Sequence, residues 1–198
     1  MNPSKNHAVV RTYVNDMIAV ERDIFNAISG QIADDKVKVH TEIHRMLSEI
    51  AAESEQRLAA NEQLSERLHG KLGAVVKEAI AATTGVLAGI YGMVRKHPVS
   101  KMLRDDHVAL NLAAVAYGML YTTAVALDED DVAAVALENL NSLPPRLILL
   151  SRAIPSIVVK ELSHDYSTNF DAPAIATLAM EKAWINAEAG GVQGKFIN

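Results

Sequence analysis

The chain has no cysteine. That excludes disulfide scaffolds, thiolate metal sites and cysteine nucleophiles. Aromatic residues make up only 5% of it, and runs of β-branched residues between turn signals are scarce, so a β architecture is not expected. There is no basic excess. The formal net charge is −5, which argues against a nucleic-acid partner, since such proteins carry a basic stripe or patch. The N-terminal stretch lacks the apolar core of a secretory signal, and a cytoplasmic location is expected. The longest gap is internal: from Val108 to Leu127 there is no Glu, Asp, His, Lys, Arg or Cys. A helix built from this run has no carboxylate, imidazole, amine or thiol with which to do chemistry inside a helical bundle.

What is present favours helices. The chain is 49% hydrophobic, rich in Ala, Leu and Glu, and of a length that suits one domain. Val10, Val14, Met17, Ile24 and Ile28 recur at the three-and-four spacing of a buried helical stripe, and Glu21 fills a gap in that stripe. The spacing predicts a first helix over about 6–29, ended by Gly30. Asp34 or Asp35 then caps a second helix whose stripe reads Val39, Ile43, Met46/Leu47, Ile50. Beyond Ala52 charged residues crowd in, and this half is expected to be solvated or loosely ordered. A third helix is predicted over about 72–96, with an uncharged stretch at 79–94. The basic residues Arg95, Lys96, Lys101 and Arg104 read as a solvated connection after it, or else as a phosphate or lipid-headgroup site. A fourth helix opens at Asp105 or Asp106 and holds the charge-free run, which we expect at the centre of the bundle. Asp128 caps a fifth, broken or kinked at Pro144-Pro145. A last short helix over about 171–188 is anchored by Trp184. The domain prediction is one helical bundle over 1–188 and a flexible tail at 189–198.

Chemistry has few places to sit. The stretch Gly85–Gly89 lacks the strand and Lys of a phosphate loop, and no Ser/His/Asp set has a local signature. One constellation stands out. With the first turn centred near residue 32, Glu21 falls opposite Ile43, flanked by His40 and His44 on one helical face. Three such side chains could hold a divalent transition metal. Equally, Glu21 could pair with a His or Arg and hold no metal. Tyr91, Tyr117 and Tyr121 read as core residues with hydrogen-bonded hydroxyls.

The segments 11–23 (RTYVNDMIAVERD), 103–120 and 124–140 resemble ferritin-like proteins, in particular the bacterial stress-associated ferritin-like group. The resemblance implies an all-α, antiparallel ferritin-like four-helix bundle with an inserted helix before the fourth and a C-terminal helix. It also implies a di-iron site built from one Glu on each of two helices and a Glu-x-x-His pair on each of the other two. This sequence keeps Glu21 alone. Over its apolar stripe, 39–50, the second helix has no Glu-x-x-His, the charge-free run offers no ligand, and the next helix gives Glu138, Asn139, Asn141 and Pro144. The expectation is therefore a non-enzymatic bundle of structural or stress-related role, homo-oligomeric, with no catalytic residues, cofactor or metal. Two other readings stay open at this point: a single-metal protein using Glu21 with His40/His44, and a membrane-associating protein with a helical hairpin at 79–127.

Overall fold

The computed structural model describes residues 3–69 and 98–189. Among them the chain is all-helical: α1 (Pro3–Ile32), α2 (Asp35–Lys38), α3 (Thr41–His69), α4 (Val99–Ala126), α5 (Asp130–Leu162) and α6 (Ala172–Ala189), with no strand. The inserted helix predicted over 72–96 and most of the tail at 189–198 lie outside the described residues.

In α1 the expected stripe is buried, from Val10 through Val14, Met17 and Ile24 to Ile28. The helix does not stop at Gly30 but runs through it to Ile32. The link to α3 contains the short helix α2, capped by Asp34, whose carboxylate accepts from the Lys36 N–H at 2.9 Å. Buried Val37 pins this link to the core.

α1 packs on α3 and α4, and α5 packs on the same two helices. The cross-helix contacts give the directions. Asn15 meets Ser65 and Arg22 meets Glu62, so α1 and α3 are antiparallel. Gln31 donates to Asp106, and His7 meets Glu129 at the other end, so α1 and α4 are antiparallel as well. Arg67 faces Asp131 while Arg146 faces Glu49, which sets α5 against α3. The chain order is thus up, down, down, up. The end of α3, beside Asp131, and the start of α4, where Glu161 accepts from the backbone N–H and the hydroxyl of Ser100, stand at opposite ends of the bundle.

The charged half of α3 is neither solvated nor loose: Arg57, Asn61, Leu64 and Ser65 are buried. Its outer charges are clipped to neighbours, Glu62 to Arg22 at 2.8 Å, and Glu49 and Glu53 both to Arg146. These carboxylates hold the Arg146 guanidinium well above its ordinary range, Glu53 contributing most. Helix α4 begins at Val99, and Asp105 and Asp106 are buried within it rather than capping it. Nor is α4 central. Leu103, Leu110, Ala113, Tyr117, Leu120 and Ala124 face the core, while Val108, Val115, Met119 and Val125 face solvent. A run without charges has no polar face to mark its outside, so the pattern could not tell one buried side from two. Asp128 does not cap α5. It takes the left-handed backbone conformation (φ 58°) in the tight turn between α4 and α5, a region Asp tolerates better than most residues. Helix α5 continues through Pro144, Pro145 and Pro155. The first two lie on its exposed side, where the carbonyls they leave unpaired, at 140 and 141, can meet water. Trp184 on α6 is 67% exposed and anchors nothing; α6 packs on α5.

Candidate functional site

Glu21 is completely buried, in the middle of the α1 stripe. A carboxylate in that position must be paired or it destabilises the fold. Its partners come from α3. Arg57 Nε donates to Oε1 at 2.7 Å and Nη2 to Oε2 at 3.2 Å, a two-pronged contact. The Ser54 hydroxyl donates to Oε2 at 2.7 Å. Arg57 is itself only 4% exposed, and its remaining Nη1 reaches the Ser142 hydroxyl of α5 at 3.3 Å. One turn further along α3, Asn61 donates through Nδ2 to the Arg57 carbonyl at 2.8 Å and to the Tyr117 hydroxyl of α4 at 2.7 Å. All four long helices thus contribute to one buried polar centre. Asn139 of α5 is buried beside Ser142, which donates to its carbonyl. Among the described residues, Asn61 Oδ1 and Asn139 Nδ2 find no partner.

Burial pushes the Tyr117 phenol well above its ordinary range, and the Glu21 carboxylate adds to the effect. The phenol therefore stays neutral in the fold when an unfolded chain would ionise near pH 10. The unfolded state then holds fewer protons than the native one, so stability falls as pH rises past about 10, by about 1.4 kcal/mol per pH unit for this group alone. Tyr117→Phe should lose about 1 kcal/mol at neutral pH, from the missing hydrogen bond to Asn61, and should show a shallower alkaline decline. Urea denaturation of both proteins at several pH values between 8 and 11 checks this; parallel declines would contradict it.

The structure does not bring Glu21, His40 and His44 together. The hairpin turns near residue 38, because α1 runs past Gly30 and α2 is inserted, so Glu21 falls opposite Ser54 and Arg57 rather than Ile43. The displacement is 11 residues along α3, about three helical turns. His40 instead lies near Lys160, Glu161 and His164, its imidazole held below its ordinary range by burial first and by Lys160 second. His44 is partly exposed. The Arg partner, one of the alternatives for Glu21, is the one observed. Among the described residues no three His, Asp or Glu side chains gather closely enough to hold a metal. Tyr117 is a core residue with a hydrogen-bonded hydroxyl, as expected, and Tyr91 lies outside the described residues. Arg104 pairs with Asp105, and Glu138 is exposed.

The residues that sequence reasoning missed are Ser54, Arg57, Asn61 and Ser142. Three of them had a signal. The α3 stripe Ile43, Leu47, Ile50 continues at the same spacing as Ser54, Arg57, Asn61, and the periodicity survives the change from apolar to polar letters. Comparison of the chain with known protein families, with curated proteins and with solved structures finds no match in any of the three.

Proposed function

We propose that this chain is a ferritin-like helical bundle with a structural or stress-related role, non-enzymatic, in which an internal arginine takes the place of metal. The observation that carries this is the placement of the polar centre. Ferritin-like metal sites draw one ligand from each of two helices and an i, i+3 pair from each of the other two. Here the corresponding positions are Glu21 on α1, Tyr117 on α4, Ser54 with Arg57 on α3, and Asn139 with Ser142 on α5. The up, down, down, up order, with one long connection between the second and third long helices, supports the same reading. The cation that balances Glu21 is supplied by the chain itself, and neutral Ser, Asn and Tyr stand where carboxylates and imidazoles would bind iron. The stress-related role follows from the resemblance of 103–140 alone. Self-association in the cytoplasm fits the exposed apolar side chains of α4, and light scattering tests it.

Aerobic loading with Fe(II) followed by elemental analysis tests the reading. The expected result is no stoichiometric iron. Two irons per chain with ferroxidase turnover would contradict it.

One observation favours a membrane-associating reading. Helices α4 and α5 are long and apolar enough to cross a bilayer, by length and composition only. A hairpin at 79–127 falls partly outside the described residues. We prefer the bundle because α4 and α5 each turn polar side chains, Asp106, Tyr117 and Asn139, into the shared core. The protein should stay in the supernatant after carbonate washing of membranes; its retention in the pellet would favour the membrane reading.

A further inference from the structure

Helix α6 leans on α5 and leaves an open groove of about 520 Å³ between α4, α5 and α6. That is the size of a small-molecule site. Its wall is apolar, formed by Leu147 and Ile148 of α5 and by Met180 and Trp184 of α6. Ile148 and Trp184 are 51% and 67% exposed, so the groove presents apolar surface to water. Polar side chains interrupt the wall from all three helices: His107 and Asn111 of α4, Ser151 of α5 and Thr177 of α6. None of these four has a side-chain hydrogen bond to a described residue, whereas Ser54, Arg57, Asn61 and Tyr117 of the core are bonded to one another or to Glu21. The cation of the groove is already engaged: Arg152 donates to Glu181 at 2.9 Å through Nε and lies 2.8 Å from it through Nη2, tying α6 to α5.

We propose that this groove binds an uncharged, largely apolar small molecule whose single hydrogen-bonding head meets His107, Asn111, Ser151 or Thr177. Its charge is argued from the lining. An anionic head would have to compete with Glu181 for Arg152, and burial holds His107 below its ordinary range, so the imidazole is neutral at pH 7. A cationic head meets the same obstacle in Glu181. Neutral donors and acceptors without a side-chain partner among the described residues suit a hydroxyl or carbonyl oxygen, which a bound ligand would satisfy while covering the apolar wall. None of the groove's lining residues belongs to the Glu21–Arg57 centre, and the proposal does not depend on how that centre is read.

Trp184 is the chain's single tryptophan and lines the groove, so it reports occupancy. The test titrates the uncharged probe N-phenyl-1-naphthylamine into the full-length protein. The expected result is saturable, one-to-one binding with a micromolar Kd, quenching of Trp184 emission, and displacement by 1-dodecanol about tenfold more readily than by dodecanoate. Ile148→Glu, at an exposed position, should keep the helical circular dichroism and weaken probe binding about tenfold, while Val115→Glu on the outer face of α4 should leave it unchanged. Asn111→Ala should narrow the preference for the alcohol. Non-saturable binding, equal affinity in the Ile148→Glu protein, or equal displacement by dodecanoate would each overturn the proposal. Loss of probe binding as protein concentration rises would overturn it in favour of a second copy covering the groove.

Discussion

Arg57→Leu should destabilise the protein by about 3–5 kcal/mol, because it leaves the Glu21 carboxylate buried without its cation. The Ser54 hydroxyl remains within 2.7 Å, but one neutral donor does not replace a two-pronged guanidinium. The Asn139–Ser142 side would also lose its contact to Arg57. At Glu21 itself the order should be graded. Glu21→Gln keeps the shape and an acceptor for Ser54 or Arg57, whereas Glu21→Leu strands the guanidinium in the core, so the glutamine variant should be the milder of the two. Urea denaturation at neutral pH measures all three. A loss below about 1 kcal/mol for Arg57→Leu would mean that water reaches the pair, against the 0% and 4% exposure of its partners.

A charge placed on the inner face of α4 should be nearly as costly. Ala113 is fully buried between α4 and its neighbours, and Ala113→Asp puts an unpaired carboxylate there, at about 3–5 kcal/mol or complete loss of folding. Two residues along, Val115 is 60% exposed, and Val115→Asp should change stability by no more than about 0.5 kcal/mol. The contrast separates a one-faced helix from the fully enclosed helix that the charge-free run suggested. Comparable losses at both positions would restore the enclosed arrangement, or show that a second copy covers the outer face.

The parts of this fold that could be read in advance are those where burial and apolarity coincide. The α1 stripe from Val10 to Ile28 is of that kind, and so is the all-helical class; Asp34 caps only the four-residue α2, and the helix carrying Ile43, Leu47 and Ile50 starts at Thr41, leaving Val39 exposed. The centre was not legible, for two physical reasons. The hairpin register depends on where α1 ends, and an exposed Gly30 that stays helical gives no sign that the turn lies later; a shift of three turns replaced Ser54 and Arg57 by His40 and His44 as the facing residues. Arg57 also reads as solvent-facing, because a guanidinium is buried only when a partner from another helix stabilises it, and that partner is a tertiary fact. In α4 the difficulty is reversed: every residue from Val108 to Leu127 is acceptable in a core, so the sequence marks no outside. In α5, Pro144 and Pro145 suggested a break, yet packing of Leu143 and Leu150 on either side holds the helix together.

The central claim is that Glu21 and Arg57 form one interdependent unit at the heart of the bundle, and a double-mutant cycle tests it most directly. Glu21→Leu, Arg57→Leu and the double variant are compared with the wild type by chemical denaturation. The two single losses should be far from additive, with a coupling above about 2 kcal/mol and a double variant more stable than either single one, because removing both charges together strands neither. Additivity to within about 0.5 kcal/mol would contradict it.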